Sequence, residues 1–166
     1  MEVPTLKIAI CDDNKDDLLH ISTILNTYIK ERNTPILYKS FHSTTELLAT
    51  AKSGSYDLYL LDMIMPIVNG IDTAREIRSF DKVAKIVFLS SSPEFAIESY
   101  SVKAYNYVLK PITIEKLFST LDDIIENASE ENRPSIVVKS SDGIMRILLS
   151  KLTHVEAYHR RVIYYF

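Results

Sequence analysis

The sequence predicts a doubly wound parallel α/β sheet followed by a smaller β-rich piece. Three observations carry that reading. Short apolar runs recur through the first 130 residues and end on polar or turn residues. Between them lie stretches whose apolar residues fall at helical spacing, giving five strand-then-helix units. After Pro134 the texture changes to short strand-like segments without intervening helices.

Leu6–Cys11 (LKIAIC) is the first apolar run and stops at Asp12-Asp13-Asn14. Lys15 to Arg32 follows as a helix, with Leu18, Leu19, Ile21, Ile24, Leu25, Tyr28 and Ile29 on its apolar side. Asn14 suits the N-cap, and Asp16 and Asp17 suit the positive end of the helix dipole. Pro35–Phe41 reads as the second strand, and the helix opening at Ser43 is expected to close at Gly54. Tyr56–Leu61 leads into Asp62, and a loop with Pro66 and Gly70 precedes a helix running to about Phe80. Lys85–Leu89 is the fourth strand and ends in Ser90-Ser91-Ser92; Pro93 suits the first turn of a helix reaching Tyr100. Tyr105–Leu109 is the fifth strand, ending in Lys110-Pro111, and Thr113 opens the last helix.

Composition narrows the class. Hydrophobic residues make up 46% of the 166 and charged residues 25%, the balance of a globular chain. The one cysteine, Cys11, excludes an internal disulfide and a multi-thiolate zinc site, and fits a reducing, cytoplasmic setting. No apolar run is long enough to cross a bilayer and no secretory signal opens the chain, so no membrane role is expected. Residues 1–134 carry 14 Lys/Arg against 20 Asp/Glu, and residues 135–166 carry 5 against 2. An acidic body with a basic end predicts two units with different partners.

In an open parallel sheet, chemistry collects at the carboxyl ends of the strands. Asp12 and Asp13 follow strand one, Asp62 strand three, Ser90 strand four and Lys110 strand five. In the order 2-1-3-4-5, strands one and three are neighbours, so three carboxylates converge. Taken singly, Asp12 and Asp13 read as helix caps, Asp62 as a turn residue, and Ser90 and Lys110 as strand ends. Their joint placement is what distinguishes them. Converging carboxylates repel unless neutralised, and a hard cation such as Mg²⁺ suits an all-oxygen donor set. With Lys110 beside it, such a site suits phosphoryl transfer to a carboxylate.

The segments IAICDDN at 8–14, LYLLDMIMPIVNG at 58–70, IVFLSSS at 86–92 and YNYVLKPI at 105–112 resemble the receiver domain of a bacterial two-component response regulator. The resemblance spans about residues 5–128 and implies a flavodoxin-like (βα)₅ fold. It implies that Asp62 accepts phosphate from a sensor histidine kinase. Asp13, Asp62 and the Ile64 carbonyl would ligate Mg²⁺, with Asp12 acting through a metal-bound water. Ser90 would be the switch hydroxyl, in place of the commoner threonine, Tyr107 its coupled aromatic, and Lys110 the partner of a phosphate oxygen. The Lys110-Pro111 peptide is expected cis, and Gly70 is expected to permit the tight turn after Asp62. The family also implies a homodimer through the face built by the fourth helix, fifth strand and fifth helix.

Residues 129–134 read as a linker. Residues 135–166 are similar to the opening of a LytTR-type DNA-binding domain, HVEAYHRR being the most telling phrase. That similarity implies promoter DNA as a partner of a longer protein, with about the first third of the module present here. Lys139, Arg146, Lys151, Arg160 and Arg161 are the candidate phosphate contacts. Two other readings stand beside the switch: an aspartate-nucleophile phosphohydrolase, and a receiver-like interaction module that takes no phosphate. As a switch the chain would not be an enzyme, although it would assist its own phosphorylation and dephosphorylation. Cys11 reads as a small buried strand residue, and His20 and His42 as lying away from the acidic cluster.

Overall fold

The computed structural model describes residues 5–131, 134–140, 143–159 and 161–165. Five parallel strands, β1 (Leu6–Cys11), β2 (Ile36–Phe41), β3 (Leu58–Asp62), β4 (Lys85–Ser90) and β5 (Asn106–Leu109), form one sheet in the order β2-β1-β3-β4-β5. This is the flavodoxin-like (βα)₅ arrangement the sequence predicts. All five residues of β3 are buried, as are the last four of β1, because a parallel strand covered on both faces has no solvent side. Alternation divides the core. Ala9, Cys11, Tyr59, Leu61, Ile86 and Phe88 share a cluster with Leu47, Ile71, Ala74 and Ile77 from the second and third helices. Helix α1 (Lys15–Arg32) meets α5 (Ile114–Glu131) through the edge-on pair Tyr28 and Phe118, 4.9 Å between centroids.

Local chemistry sets the helix ends. Asn14 caps α1 by accepting from the Asp16 and Asp17 N–H groups, and Asn33 ends it in the left-handed conformation. Ser43 caps α2 (Thr44–Thr50), its hydroxyl accepting from Glu46 N–H, while the Glu46 carboxylate accepts from the N–H of His42, one residue ahead of the cap. The α2 helix stops at Thr50, four residues short of Gly54. Gly54 instead serves a turn at φ +75°, and its N–H donates to Asp81. Helix α3 (Gly70–Phe80) is capped by Asn69. The helix expected from Pro93 to Tyr100 is only the short α4 (Ala96–Ser99), continued by a 3-10 turn at Tyr100–Val102; Phe95, at its start, supplies no side-chain cap.

Gly70 is required for a different reason from the expected turn. A Cβ there would lie 2.5 Å from the Asp62 carbonyl oxygen and 2.9 Å from Met63 Cα, so only glycine lets α3 approach the end of β3 this closely.

The chain divides into two compact units, Met1–Thr120 and Leu121–Phe166, with the boundary inside α5. That helix continues to Glu131, so the first half of the expected 129–134 linker is helical. In the second unit, β6 (Ser135–Ser140) pairs antiparallel with β7 (Gly143–Leu148), and β8 (His154–Tyr158) with β9 (Arg161–Tyr165). The Asp-Gly turn between β6 and β7 lies partly outside the described residues, as does Arg160. Among the described residues, no helix is long and apolar enough to cross a membrane.

Candidate functional site

Strands β1 and β3 run in register, with Cys11 opposite Leu61, so the next residues, Asp12 and Asp62, emerge side by side at the carboxyl edge. Both are buried, at 1% and 5% exposure, whereas Asp13 is exposed at the mouth. One oxygen from each of Asp12, Asp13 and Asp62 lies within 4.8 Å of the others. Ser90 and Leu109 are paired across β4 and β5, which brings Lys110 to the same edge.

The Lys110 ammonium binds three carboxylates: Asp12 Oδ2 at 2.9 Å, Asp17 Oδ2 at 2.7 Å and Asp62 Oδ1 at 3.0 Å. Two of these contacts, to Asp12 and Asp17, are hydrogen bonds, and the third is an ion pair with Asp62. Asp12 Oδ1 also accepts from the Asn14 N–H at 2.9 Å. Burial, followed by the Asp12 charge, pushes the Asp62 carboxyl up to about 6 despite Lys110. Burial likewise raises Asp12, with Lys110 and the Asn14 N–H opposing it. For Lys110, burial favours the neutral amine, but Asp17, Asp12 and Asp62 together outweigh it and hold the ammonium above its ordinary range.

The Ser90 hydroxyl is buried and donates to the Ser92 carbonyl at 3.1 Å, while the Ser92 N–H donates to Ser90 Oγ at 3.1 Å. The Tyr107 hydroxyl donates to that same Ser92 carbonyl, and its ring leans on Phe88 with centroids 6.3 Å apart. Ser90 and Tyr107 therefore share one acceptor. The side chain of Ile64 is half exposed, and the Lys110-Pro111 peptide is cis. Cys11 is fully buried, and burial, followed by the Asp12 and Asp62 charges, pushes its thiol up to about 12. That leaves it a poor nucleophile, as its strand position predicts.

A model of the response regulator receiver domain matches residues 8–122, which include Asp12, Asp13, Asp62, Ile64, Ser90, Tyr107 and Lys110. The chain belongs to the response regulator receiver domain family. As a receiver it is similar to the transcriptional regulatory protein NatR of Bacillus subtilis, at 23% identity over 88% of this chain and 61% of that one. It is also similar to the sensory transduction protein LytR of Staphylococcus haemolyticus, at 29% identity over 52% of this chain and 34% of that one. The chain thus spans less than two thirds of the first relative and about a third of the second. A crystal structure of a response regulator receiver domain protein from Clostridium thermocellum superposes with a TM-score of 0.66, at 25% identity over 76% of this chain and 98% of that one.

One contact of the receiver site, that of Asp17 with Lys110, has no local signal in the sequence. Asp17 has a sufficient local reading in the dipole of α1, and its contact with Lys110 is made only by the fold. His20 stands outside the Asp12, Asp13 and Asp62 cluster, as expected, and places Nε2 2.6 Å from the Ile112 carbonyl oxygen, just beyond Pro111.

Proposed function

We propose that this receiver is a phosphorylation-controlled switch in which Asp62 takes a phosphoryl group from a phosphohistidine of a sensor histidine kinase. The observation that carries the proposal is the buried carboxylate pair Asp12 and Asp62 bridged by Lys110, with Asp13 at the mouth. Near pH 7 an acid titrating at about 6 is mostly ionised, so Asp62 is available as a nucleophile. One Asp62 oxygen forms a bond to phosphorus as the P–N bond of the donor breaks. The electron pair stays on the imidazole nitrogen, which takes up a proton.

The donor set fits Mg²⁺. It is all oxygen, and one oxygen from each of Asp12, Asp13 and Asp62 lies within 4.8 Å of the others, three carboxylates against the single Lys110 charge. Asp12, Asp13, Asp62 and the Ile64 carbonyl would hold the ion, which supplies charge neutralisation on the phosphoryl oxygens. Lys110 passes one N–H to a phosphoryl oxygen. Ser90 turns from the Ser92 carbonyl toward the phosphoryl group, and Tyr107 follows by burying its ring. The face of α4, β5 and α5, where Ile97 and Tyr100 are 83% and 78% exposed, would then pair with a second copy.

Residues 135–166 would be the opening strands of a LytTR-type DNA-binding domain, and the whole protein a cytoplasmic, promoter-binding transcription regulator. The similarity to LytR and the exposed β8–β9 ribbon support that assignment. The decisive test is incubation with acetyl phosphate and Mg²⁺, read by intact mass and sizing. One phosphoryl group per chain, lost with EDTA and absent from Asp62→Asn, is the expected result. Labelling that survives Asp62→Asn overturns the assignment. Multiple turnovers on phosphomonoesters would indicate a hydrolase, and no labelling at all a phosphate-independent module.

A further inference from the structure

The shortest ion pair of Lys110 is with Asp17, a residue that the phosphoacceptor reading does not use. Asp17 projects from the first turn of α1, its backbone N–H 3.3 Å from the Asn14 cap oxygen, which leaves the carboxylate free to reach across to Lys110. One turn further along, His20 engages the Ile112 carbonyl at 2.6 Å. The segment after β5 is therefore gripped by α1 at two points, on either side of Pro111. Between them lies a cavity of about 80 Å³ bounded by Asp17, His20, Ile21, Lys110, Pro111 and Ile112. The location of the ammonium is thus a property of α1 as much as of β5.

Consider what an arriving phosphoryl group meets. The ammonium is hydrogen-bonded to Asp12 and Asp17 and paired in charge with Asp62, so its hold on the carboxylates must loosen before it can turn fully to a phosphoryl oxygen. Asp12 and Asp62 belong to the acidic cluster itself, whereas Asp17 adds one more negative charge beside an incoming anion. The Asp17 side chain is 38% exposed against 1% for Asp12, so its charge is partly screened, acts weakly and responds to salt.

We infer that Asp17 is a positioning residue for the phosphoryl reaction: it tethers the Lys110 ammonium to α1 and thereby slows phosphorylation of Asp62. The inference rests on the assignment of Asp62 as phosphoacceptor. Its sense is restraint, so removing the charge while keeping the shape speeds the reaction, and restoring the charge reverses the gain.

The test compares wild type, Asp17→Asn and Asp17→Glu, each verified as folded by its melting transition. The first readout is the initial rate of labelling by acetyl phosphate at saturating Mg²⁺. A roughly three- to tenfold faster rate is expected for Asp17→Asn, with Asp17→Glu close to wild type. Raising the ionic strength should narrow the gap between Asp17→Asn and wild type. The second readout needs neither metal nor phosphate: acetylation of Lys110 by acetic anhydride in EDTA, followed by peptide mass analysis. With its shortest ion pair removed, the Lys110 side chain is less firmly held against α1 and more accessible to the reagent, so it should acetylate at least about threefold faster in Asp17→Asn than in wild type. Wild type that labels normally while Asp17→Asn labels at the same or a lower rate overturns the tether and leaves the phosphoacceptor standing. Equal slowing in Asp17→Asn and Asp17→Glu would make Asp17 a structural residue and also overturn it. Wild type that does not label at all sinks the phosphoacceptor assignment and this inference with it.

Discussion

Two ends of one sheet each bury an aspartate, and the two carboxylates behave in opposite ways. Asp62, at the carboxyl end of β3, is 5% exposed, and its pKa is pushed up to about 6. Asp81, just ahead of β4 at the amino end, is 4% exposed, yet its pKa is lowered. Burial raises both. At Asp81 it is outweighed by backbone N–H donors from Ala84, Gly54 and Val83 at 2.9, 2.9 and 3.0 Å, with the Arg78 charge nearby. At Asp62 the burial is reinforced by a second buried carboxylate, Asp12. A carboxylate saturated by fixed donors holds the fold together. One left charge-rich, with acceptor capacity to spare, is poised for a ligand.

The contrast breaks first if Asp81 proves dispensable. Asp81→Ala orphans three backbone N–H groups, and each unmet donor costs about 1–3 kcal/mol. A loss of about 3–5 kcal/mol in urea unfolding is expected, with acetyl phosphate labelling of the folded protein unchanged. A loss below about 1 kcal/mol would mean that water replaces Asp81 freely.

The opposite sign is expected at the other edge. The folded pKa of Asp62 lies above its unfolded value, so its contribution to stability is fully present below pH 4 or so and is lost as pH rises through about 6. Asp81 contributes in the reverse sense: its stabilisation is present above the unfolded value and is lost as pH falls through its lower folded one. Asp62→Asn should therefore gain about 1–3 kcal/mol at pH 7 without metal, and flatten the stability profile between about pH 4 and 6. Added Mg²⁺ should stabilise wild type at pH 7 and leave Asp62→Asn nearly unmoved. A wild-type profile that is flat across that window would remove the basis for calling the site charge-rich.

The sheet order and the convergence of Asp12, Asp13, Asp62 and Lys110 were legible because strand ends and helical periods are written locally in the chain. Asp17 was less so. Its position in the first turn of α1 already had a sufficient local explanation, and only the tertiary fold brings Lys110 to it from 93 residues away. Gly70 was recognised, but for a tight turn; close packing of α3 on the Asp62 carbonyl is a contact between elements that no local pattern records. The α4 segment is shorter than its sequence suggests because Pro93 is a start signal that says nothing about length, and four helical residues follow instead of a full helix. Asp81 carries no local signal of its role. A loop aspartate beside a helix end is common, and its three donors come from two separate segments.

The smallest effect expected separates fixed donors from movable ones. The donors on Asp81 are backbone groups, whereas the two donors on the Ser92 carbonyl are hydroxyls on rotatable side chains. A carbonyl oxygen has two lone pairs, so Ser90 and Tyr107 can donate together without competing. Removing either one leaves the oxygen satisfied by the other; Tyr107→Phe alone should cost about 0.5–1 kcal/mol, and Ser90→Ala about 1–2 kcal/mol because it also takes the acceptor from the Ser92 N–H. Removing both leaves a half-buried oxygen to water, so the double variant should lose about 0.5 kcal/mol more than the sum. Strict additivity in that cycle would mean that the hydroxyls do not communicate through Ser92. Coupling of the expected sign would make the Ser92 carbonyl the physical link by which a turn of the Ser90 side chain is felt at Tyr107, through hydrogen bonds weak enough to be exchanged.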